Sequence, residues 1–294
     1  MSNRLKQFIN EHLEAINREI VDQVERLHAP QALKDSMLYS LKAGGKRIRP
    51  LFVVAVSEMF HNKQKEVYTV GAAVEMIHTY SLIHDDLPSM DNDELRRGKP
   101  TNHVVFGEAL ATLAGDALNT LAFGVLARME NVSPEKKVEL INLLSIASGA
   151  EGMVGGQVLD LDGENRELNL SELEQIHRNK TGAILRFSIE SGAILSDATK
   201  EAREALIEYA HHIGIAFQIQ DDILDVEGTS EQLGKTAGKD EESNKSTYPA
   251  LLSLDGAKQK LQEHYQFALK ALNRLSEDTT LLREFANYIV SRNH

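Results

Sequence analysis

Apolar side chains that recur every third or fourth residue constrain this chain more than any other feature of its sequence. In the opening segment they fall at Leu5, Ile9, Leu13, Ile16, Ile20, Val24 and Leu27, the stripe of an amphipathic helix with one face turned to a core. The same spacing predicts helices over 31–43, 50–61, 66–87, 107–130, 135–159, 171–178, 182–195, 199–226, 248–274 and 279–291. No segment shows the convincing apolar–polar alternation of a half-buried strand. Pro30, Pro50, Pro88, Pro100, Pro134 and Pro249 all sit at the edges of these segments, where a missing N–H and a bulky ring are tolerated. Ser133-Pro134 and Thr247-Tyr248-Pro249 read as helix openings. There is no internal repeat and no linker long enough to divide the 294 residues, so the expected fold is all-α, one domain over 1–294. The irregular stretch 228–247, a mixture of Gly, Ser, Thr, Lys and Glu, reads as a mobile surface loop.

Composition narrows the function. The chain contains no cysteine, which excludes a disulfide framework, a thiolate zinc site and a cysteine nucleophile, and suits a cytoplasmic setting. The N-terminus lacks the charged-then-apolar layout of a secretory signal, and no stretch is expected to reach membrane-spanning length. A formal charge of −12 argues against nucleic-acid binding, where cations supply most of the affinity. An acidic chain that takes an anionic ligand must gather its positive charges locally.

Two acidic clusters interrupt helical stripes that should be buried. The first is Asp85-Asp86-Leu87-Pro88-Ser89-Met90-Asp91; the second is Asp221-Asp222-Ile223-Leu224-Asp225. Helical steps back from Asp85 meet Ser81, His78 and Val74, and steps back from Asp225 meet Asp221 or Asp222, Gln218 and Gly214, so both clusters are expected to face inward. Two carboxylates about 4 Å apart repel by roughly 4 kcal/mol at an effective dielectric near 20, and something positive must lie between them. Hard oxygen donors without His or Cys favour magnesium, which typically takes one or two carboxylates together with phosphate oxygens. Asp91 would stand about 240° around a continued helix from Asp85; Pro88 instead predicts a turn that folds it back. A lone Asp-Asp pair is more often a solvated helix end, but a second cluster embedded in a second apolar helix favours metal.

Cations are available to answer them. Gly44-Gly45-Lys46-Arg47-Ile48-Arg49-Pro50 sets three between a glycine pair and a helix start, an arrangement suited to a diphosphate. Arg96-Arg97-Gly98-Lys99-Pro100-Thr101 forms a second basic loop, and guanidinium forks match phosphate oxygens. Lys180-Thr181-Gly182 follows a polar helix, and Lys235, Lys239 and Lys245 decorate the irregular stretch. Any one of these runs is commonly a solvated surface. Together they describe a site for two anionic groups.

Taken in order and spacing, these motifs resemble those of the trans-type isoprenyl diphosphate synthases, nearest the bacterial farnesyl diphosphate synthases. The resemblance spans nearly the whole chain and rests on Gly44 to Pro50, His78-Thr79-Tyr80-Ser81-Leu82-Ile83-His84 leading into the first cluster, Arg96 to Thr101, Gly155-Gly156-Gln157, Lys180-Thr181-Gly182, and Gln218 through Asp225. It implies a homodimeric isoprenoid-synthase-type helical bundle around a central cavity. It further implies that Asp85, Asp91 and Asp221 contact three magnesium ions, with Asp86, Asp222 and Asp225 supporting, and that Arg96, Lys180 and Lys235 hold an allylic diphosphate. Lys46, Arg49, His78 and Arg97 would hold isopentenyl diphosphate, and Thr181 and Gln218 would line the reacting carbon.

The chemistry so implied is ionisation of the allylic C–O bond, attack by the isopentenyl double bond and proton loss, with water kept out. In such proteins bulk just before the first cluster sets product length. Here that bulk is Tyr80 beside Ser81, about 7.5 Å from Asp85 along the helix, which resembles the C15 class. The stretch 228–247 would close over bound diphosphate. Three other readings stay open: a C10 or C20 synthase, a terpene cyclase, and a non-catalytic regulatory subunit. Cyclases usually carry an Asn/Ser/Glu motif in place of the second cluster, and regulatory subunits tend to lose aspartates. A phosphohydrolase opening on His84-Asp85 would need distant His ligands that the second cluster does not offer.

Overall fold

The computed structural model describes residues 1–164, 166–227 and 246–292. In chain order its elements are α1 (Asn3–Glu25), α2 (Gln31–Leu41), α3 (Ile48–Met59), α4 (Glu66–Asp85), the short antiparallel pair β1 (Leu95–Arg96) and β2 (Lys99–Pro100), α5 (Asn102–Phe106), α6 (Glu108–Ala127), α7 (Pro134–Ser148), α8 (Met153–Gly163), α9 (Leu170–His177), a π turn (Arg178–Gly182), α10 (Ala183–Leu195), α11 (Lys200–Glu227), α12 (Tyr248–Leu272) and α13 (Thr280–Ser291). The all-α expectation holds, with the two-residue strands forming only a basic hairpin.

Local chemistry sets the helix ends. Ser2 accepts a hydrogen bond from the Leu5 N–H at 3.1 Å. Ser133 accepts one from Lys136 with Pro134 in the first turn, and Asn169 with Glu172 forms a reciprocal capping box. Donors that a first turn leaves without intrahelical partners are thereby satisfied. Thr247 caps α12 in the same way, with Pro249 behind it.

The helices that carry the acidic clusters run through the interior. α4 is buried on every side from Val70 to Ile77 and packs against α1, α3 and α6, while α11 lies against α10 and α12. Tyr209, Tyr248, Phe52, Phe187 and Phe285 are fully buried, and truncating an aromatic of this kind to alanine costs about 3–5 kcal/mol.

Three expectations need correction. The buried face of α1 begins as Leu5, Phe8 and His12 rather than Leu5, Ile9 and Leu13, because His12 finds polar partners inside, Tyr68 Oη at 2.9 Å and Glu58 at 3.2 Å. The helix expected over 135–159 is broken at Gly149–Gly152 into α7 and α8; a Cβ on Gly152 would lie 2.1 Å from the Ala147 carbonyl, so only glycine allows that bend. Finally, α6 is long and apolar enough to cross a membrane by length and composition. Its Ala111, Ala114, Leu118 and Ala122, however, are buried in the fold, and it packs on α4. Of the irregular stretch 228–247, residues 228–245 lie outside the described residues, and Lys235, Lys239 and Lys245 with them.

Candidate active site

Two cavities adjoin between α3, α4, α8, the π turn and α11. One, about 700 Å³, is bordered by Lys46, Arg49, Arg96, Arg97, Gln218 and Asp221. The other, about 510 Å³, is bordered by Tyr80, Ser81, Asp85, Met153, Val158 and Lys180. Arg49, His78, Leu82 and Thr181 line both, so a ligand in the cationic chamber and one in the apolar chamber would meet at these side chains.

The cationic chamber is built on positive-φ backbone. Gly44 and Gly45 adopt φ of 96° and 129°, and a Cβ on Gly45 would fall 2.7 Å from an Arg97 nitrogen. Bare backbone here lets Arg97 reach in and donate to the Gly44 carbonyl. Of the three cations expected in this loop, Arg47 borders the chamber already paired: its guanidinium meets Glu75 at 2.5 Å and donates to Asn17 at 2.9 Å, and it is buried. Arg49 remains in the chamber. Among the described residues its Nε is buried without a hydrogen-bond partner, a donor that those residues leave for a ligand's acceptor. Burial holds the Arg49 guanidinium below its usual range. His78 is held well below the usual histidine range by burial and by the positive charges of Arg49, Arg97, Arg96 and Arg47, so it is a neutral imidazole.

At the end of α4 the chain doubles back. The Asp91 N–H donates to the Asp85 carbonyl at 2.8 Å and the Asn92 N–H to the Leu87 carbonyl at 3.1 Å, which returns Asp91 to the exposed rim. Burial pushes the Asp85 carboxyl up to about 6; Lys180 opposes the shift and Asp91 adds to it. A carboxyl this short of positive charge, beside a second one and with only oxygen donors, fits a magnesium ion. Asp86 is buried and receives Arg96 through a bidentate pair at 2.5–2.9 Å. Arg96 is thus paired with Asp86 at the cationic chamber and does not border the apolar one.

The second cluster runs along continuous helix. Thr181 Oγ donates to Gln218 at 2.9 Å, and Gln218 Nε2 donates to Asp221 at 3.1 Å. Arg292 donates to the other Asp221 oxygen at 2.5 Å and to the Phe217 carbonyl, with its guanidinium 4.1 Å over the Phe217 ring. Asp222 accepts the Tyr248 N–H at 2.9 Å, so it positions α12, and Asp225 is buried. Lys180, in the π turn, donates to Asp160 at 2.6 Å. Among the described residues no three His, Asp or Glu side chains already converge as a metal cage.

Sequence reasoning missed Arg292, Asp160 and Phe217. Gln157 was noted only as part of a motif, yet it lines the apolar chamber with a buried Oε1 that has no hydrogen-bond partner among the described residues.

Comparison with known proteins supplies the family. Residues 30–284 match the model described as Polyprenyl synthetase. The chain is 52% identical over 296 residues to the farnesyl diphosphate synthase of Bacillus subtilis (strain 168), covering 100% of each. It is 49% identical to that of Geobacillus stearothermophilus, covering 99% of this chain and 98% of that one. A crystal structure of a FPP/GFPP synthase from Zymomonas mobilis superposes with a TM-score of 0.89 at 39% identity, covering 99% of this chain and 100% of the other. With a match over most of its length and relatives this similar end to end, the chain belongs to the polyprenyl synthetase family.

Proposed function

We propose that this chain is a magnesium-dependent prenyltransferase that joins isopentenyl diphosphate to dimethylallyl and then geranyl diphosphate, giving (2E,6E)-farnesyl diphosphate and releasing diphosphate at each step. The observation that carries the reading is the pair of adjoining chambers, one cationic with an unanswered buried Arg49 Nε and one apolar and lined by Tyr80, sharing His78 and Thr181. Relatives named farnesyl diphosphate synthase support the C15 product.

Lys46, Arg49 and Arg97, with His78 as a neutral donor, hold the isopentenyl diphosphate. Lys180 holds the allylic diphosphate, and Arg96 reaches it by exchanging its Asp86 partner. Asp85, Asp91 and Asp221 would hold about three magnesium ions, which when bound neutralise the charge growing on the departing diphosphate. The allylic C–O bond breaks, the isopentenyl double bond attacks the allylic carbon, and a proton leaves the adduct for the released diphosphate. Thr181 and Gln218, linked to Asp221, orient the reacting carbon. The apolar walls at Met153 and Val158 exclude water, which would otherwise capture the cation.

The same proposal places the enzyme in the cytoplasm as one catalytic domain over 1–294, working on small-molecule diphosphates without nucleic acid or stable membrane insertion. A homodimer is supported by exposed Val104, Val105 and Leu113 on α5 and α6, an apolar face that a second copy would cover. Incubation with labelled isopentenyl and dimethylallyl diphosphates and magnesium, followed by chromatography of dephosphorylated products, tests the function. A dominant C15 product is expected; C10, C20 or no transfer overturns the reading.

A further inference from the structure

The Tyr80 ring lines the apolar chamber. Among the described residues the Tyr80 hydroxyl makes no hydrogen bond, and the side chain is nearly buried, so its position rests on packing. One packing partner is His84, a turn further along α4, whose imidazole meets the Tyr80 ring edge to face at 5.6 Å and 82°. His84 is itself tied to α6, with Nε2 3.0 Å from the Thr112 carbonyl; the tautomer with its proton on Nε2 makes that bond.

The imidazole occupies the space that a side chain on Gly115 would take. A Cβ there would lie 2.2 Å from His84 Nε2, 2.4 Å from Cδ2 and 3.1 Å from Cε1, well inside contact distance. Gly115 has ordinary helical φ and sits in the interior of α6, where glycine weakens a helix relative to alanine. Backbone conformation does not require it. The close approach of His84 does.

We propose that Gly115 and His84 are positioning residues for product length. Seated on the bare backbone of Gly115 and held by Thr112, the imidazole lines the apolar chamber beside Tyr80, braces its ring edge to face and fixes the depth of the chamber. A methyl at residue 115 expels the ring, frees Tyr80 to swing and lets a longer chain grow. This rests on Tyr80 being the floor of the chamber in the proposed prenyl transfer.

The test compares the C20:C15 product ratio of wild type, Tyr80→Ala, His84→Ala, Gly115→Ala and the double variant His84→Ala/Gly115→Ala. Gly115→Ala and His84→Ala are each expected to raise the ratio on the order of tenfold. In the His84→Ala background Gly115→Ala should add nothing, because the ring it displaces is gone. The double variant has room for the methyl, so it reports even where Gly115→Ala alone folds poorly. A wild-type ratio from His84→Ala, or a full extra shift from Gly115→Ala on top of it, overturns the buttress. Lengthening by Tyr80→Ala with none from Gly115→Ala leaves the floor standing and sinks the buttress. No lengthening by Tyr80→Ala removes the floor and this inference with it.

Discussion

At the end of α4 the aspartates sit where a helix stops and the chain doubles back, whereas in α11 they ride a helix that continues to Glu227. Each cluster nevertheless splits its labour in the same way. Asp85 and Asp221 border the chambers, while Asp86 fastens the Arg96 hairpin and Asp222 fastens the start of α12. The difference lies in what balances the charge facing the cavity. Asp221 has Arg292 at 2.5 Å; Asp85 has the fields of Lys180 and Arg96, which burial, Asp91 and Asp86 together outweigh. A repeated acidic motif therefore marks two sites prepared differently, one charge-balanced by the protein and one left for a ligand's cation to complete.

Asparagine at the two positions should separate them. Asp85→Asn and Asp221→Asn are each expected to lower turnover on the order of a thousandfold, measured as prenyl transfer. Their stabilities should move in opposite directions. With its folded value near 6 against 3.8 unfolded, an ionised Asp85 opposes folding at neutral pH, so Asp85→Asn melts higher without magnesium. Asp221→Asn strands Arg292 and melts lower. Equal shifts would erase the contrast.

Acid sharpens it next. The half-buried His177, stacked at 5.6 Å on the Tyr248 that Asp222 fastens, is held at about 4 by desolvation. Its folded value lies below the unfolded 6.5, so the stability it carries is complete above pH 6.5 and drains away as pH falls toward 4. The loss is about 3 kcal/mol. Asp85 has the opposite sign over the same range. Protection factors at the start of α12, with the intrinsic pH dependence of amide exchange divided out, should fall on acidification, and His177→Gln should abolish the effect; protection independent of pH would show that His177 carries none of it.

Removing the fasteners tests whether both clusters are architectural. Asp86→Ala and Asp222→Ala are expected to cost about 2 kcal/mol each, the first by taking the bidentate partner from Arg96 and leaving it the longer contact with Asp93, the second by leaving a buried Tyr248 N–H unsatisfied. Denaturant titration reads both, and an unchanged midpoint in either would remove that role. Arg292→Gln should have the smallest effect, about 1 kcal/mol. If it unfolds no earlier than wild type, Arg292 is not what steadies the second cluster.

Much of this was legible because helix packing writes itself into spacing. The apolar period located the helices, and Ser133 and Thr247 announced two of their starts. Pro88 announced the return of Asp91. What spacing could not reveal was which partner a charge finds. Arg47 and Arg49 are two residues apart in one basic run and border one chamber, but Arg47 is taken up by Glu75 while the Arg49 Nε stays open to a ligand. Arg292 reaches Asp221 from 71 positions away, a pairing made by tertiary packing with no local signature. His12 was overlooked since a histidine does not count as apolar until Tyr68 and Glu58 are seen beside it.

The π turn at Arg178–Gly182 holds a consequence for redesign. A π turn is a helix carrying one surplus residue, and each residue added to or taken from a regular helix rotates the remainder of that helix by about 100°. By absorbing the surplus over five residues, the chain keeps the buried face of α10 in register while aiming Lys180 and Thr181 at the ligand. Excising one residue here would re-aim those two side chains and leave the neighbouring core intact, making this the spot where chemistry can be dialled separately from architecture.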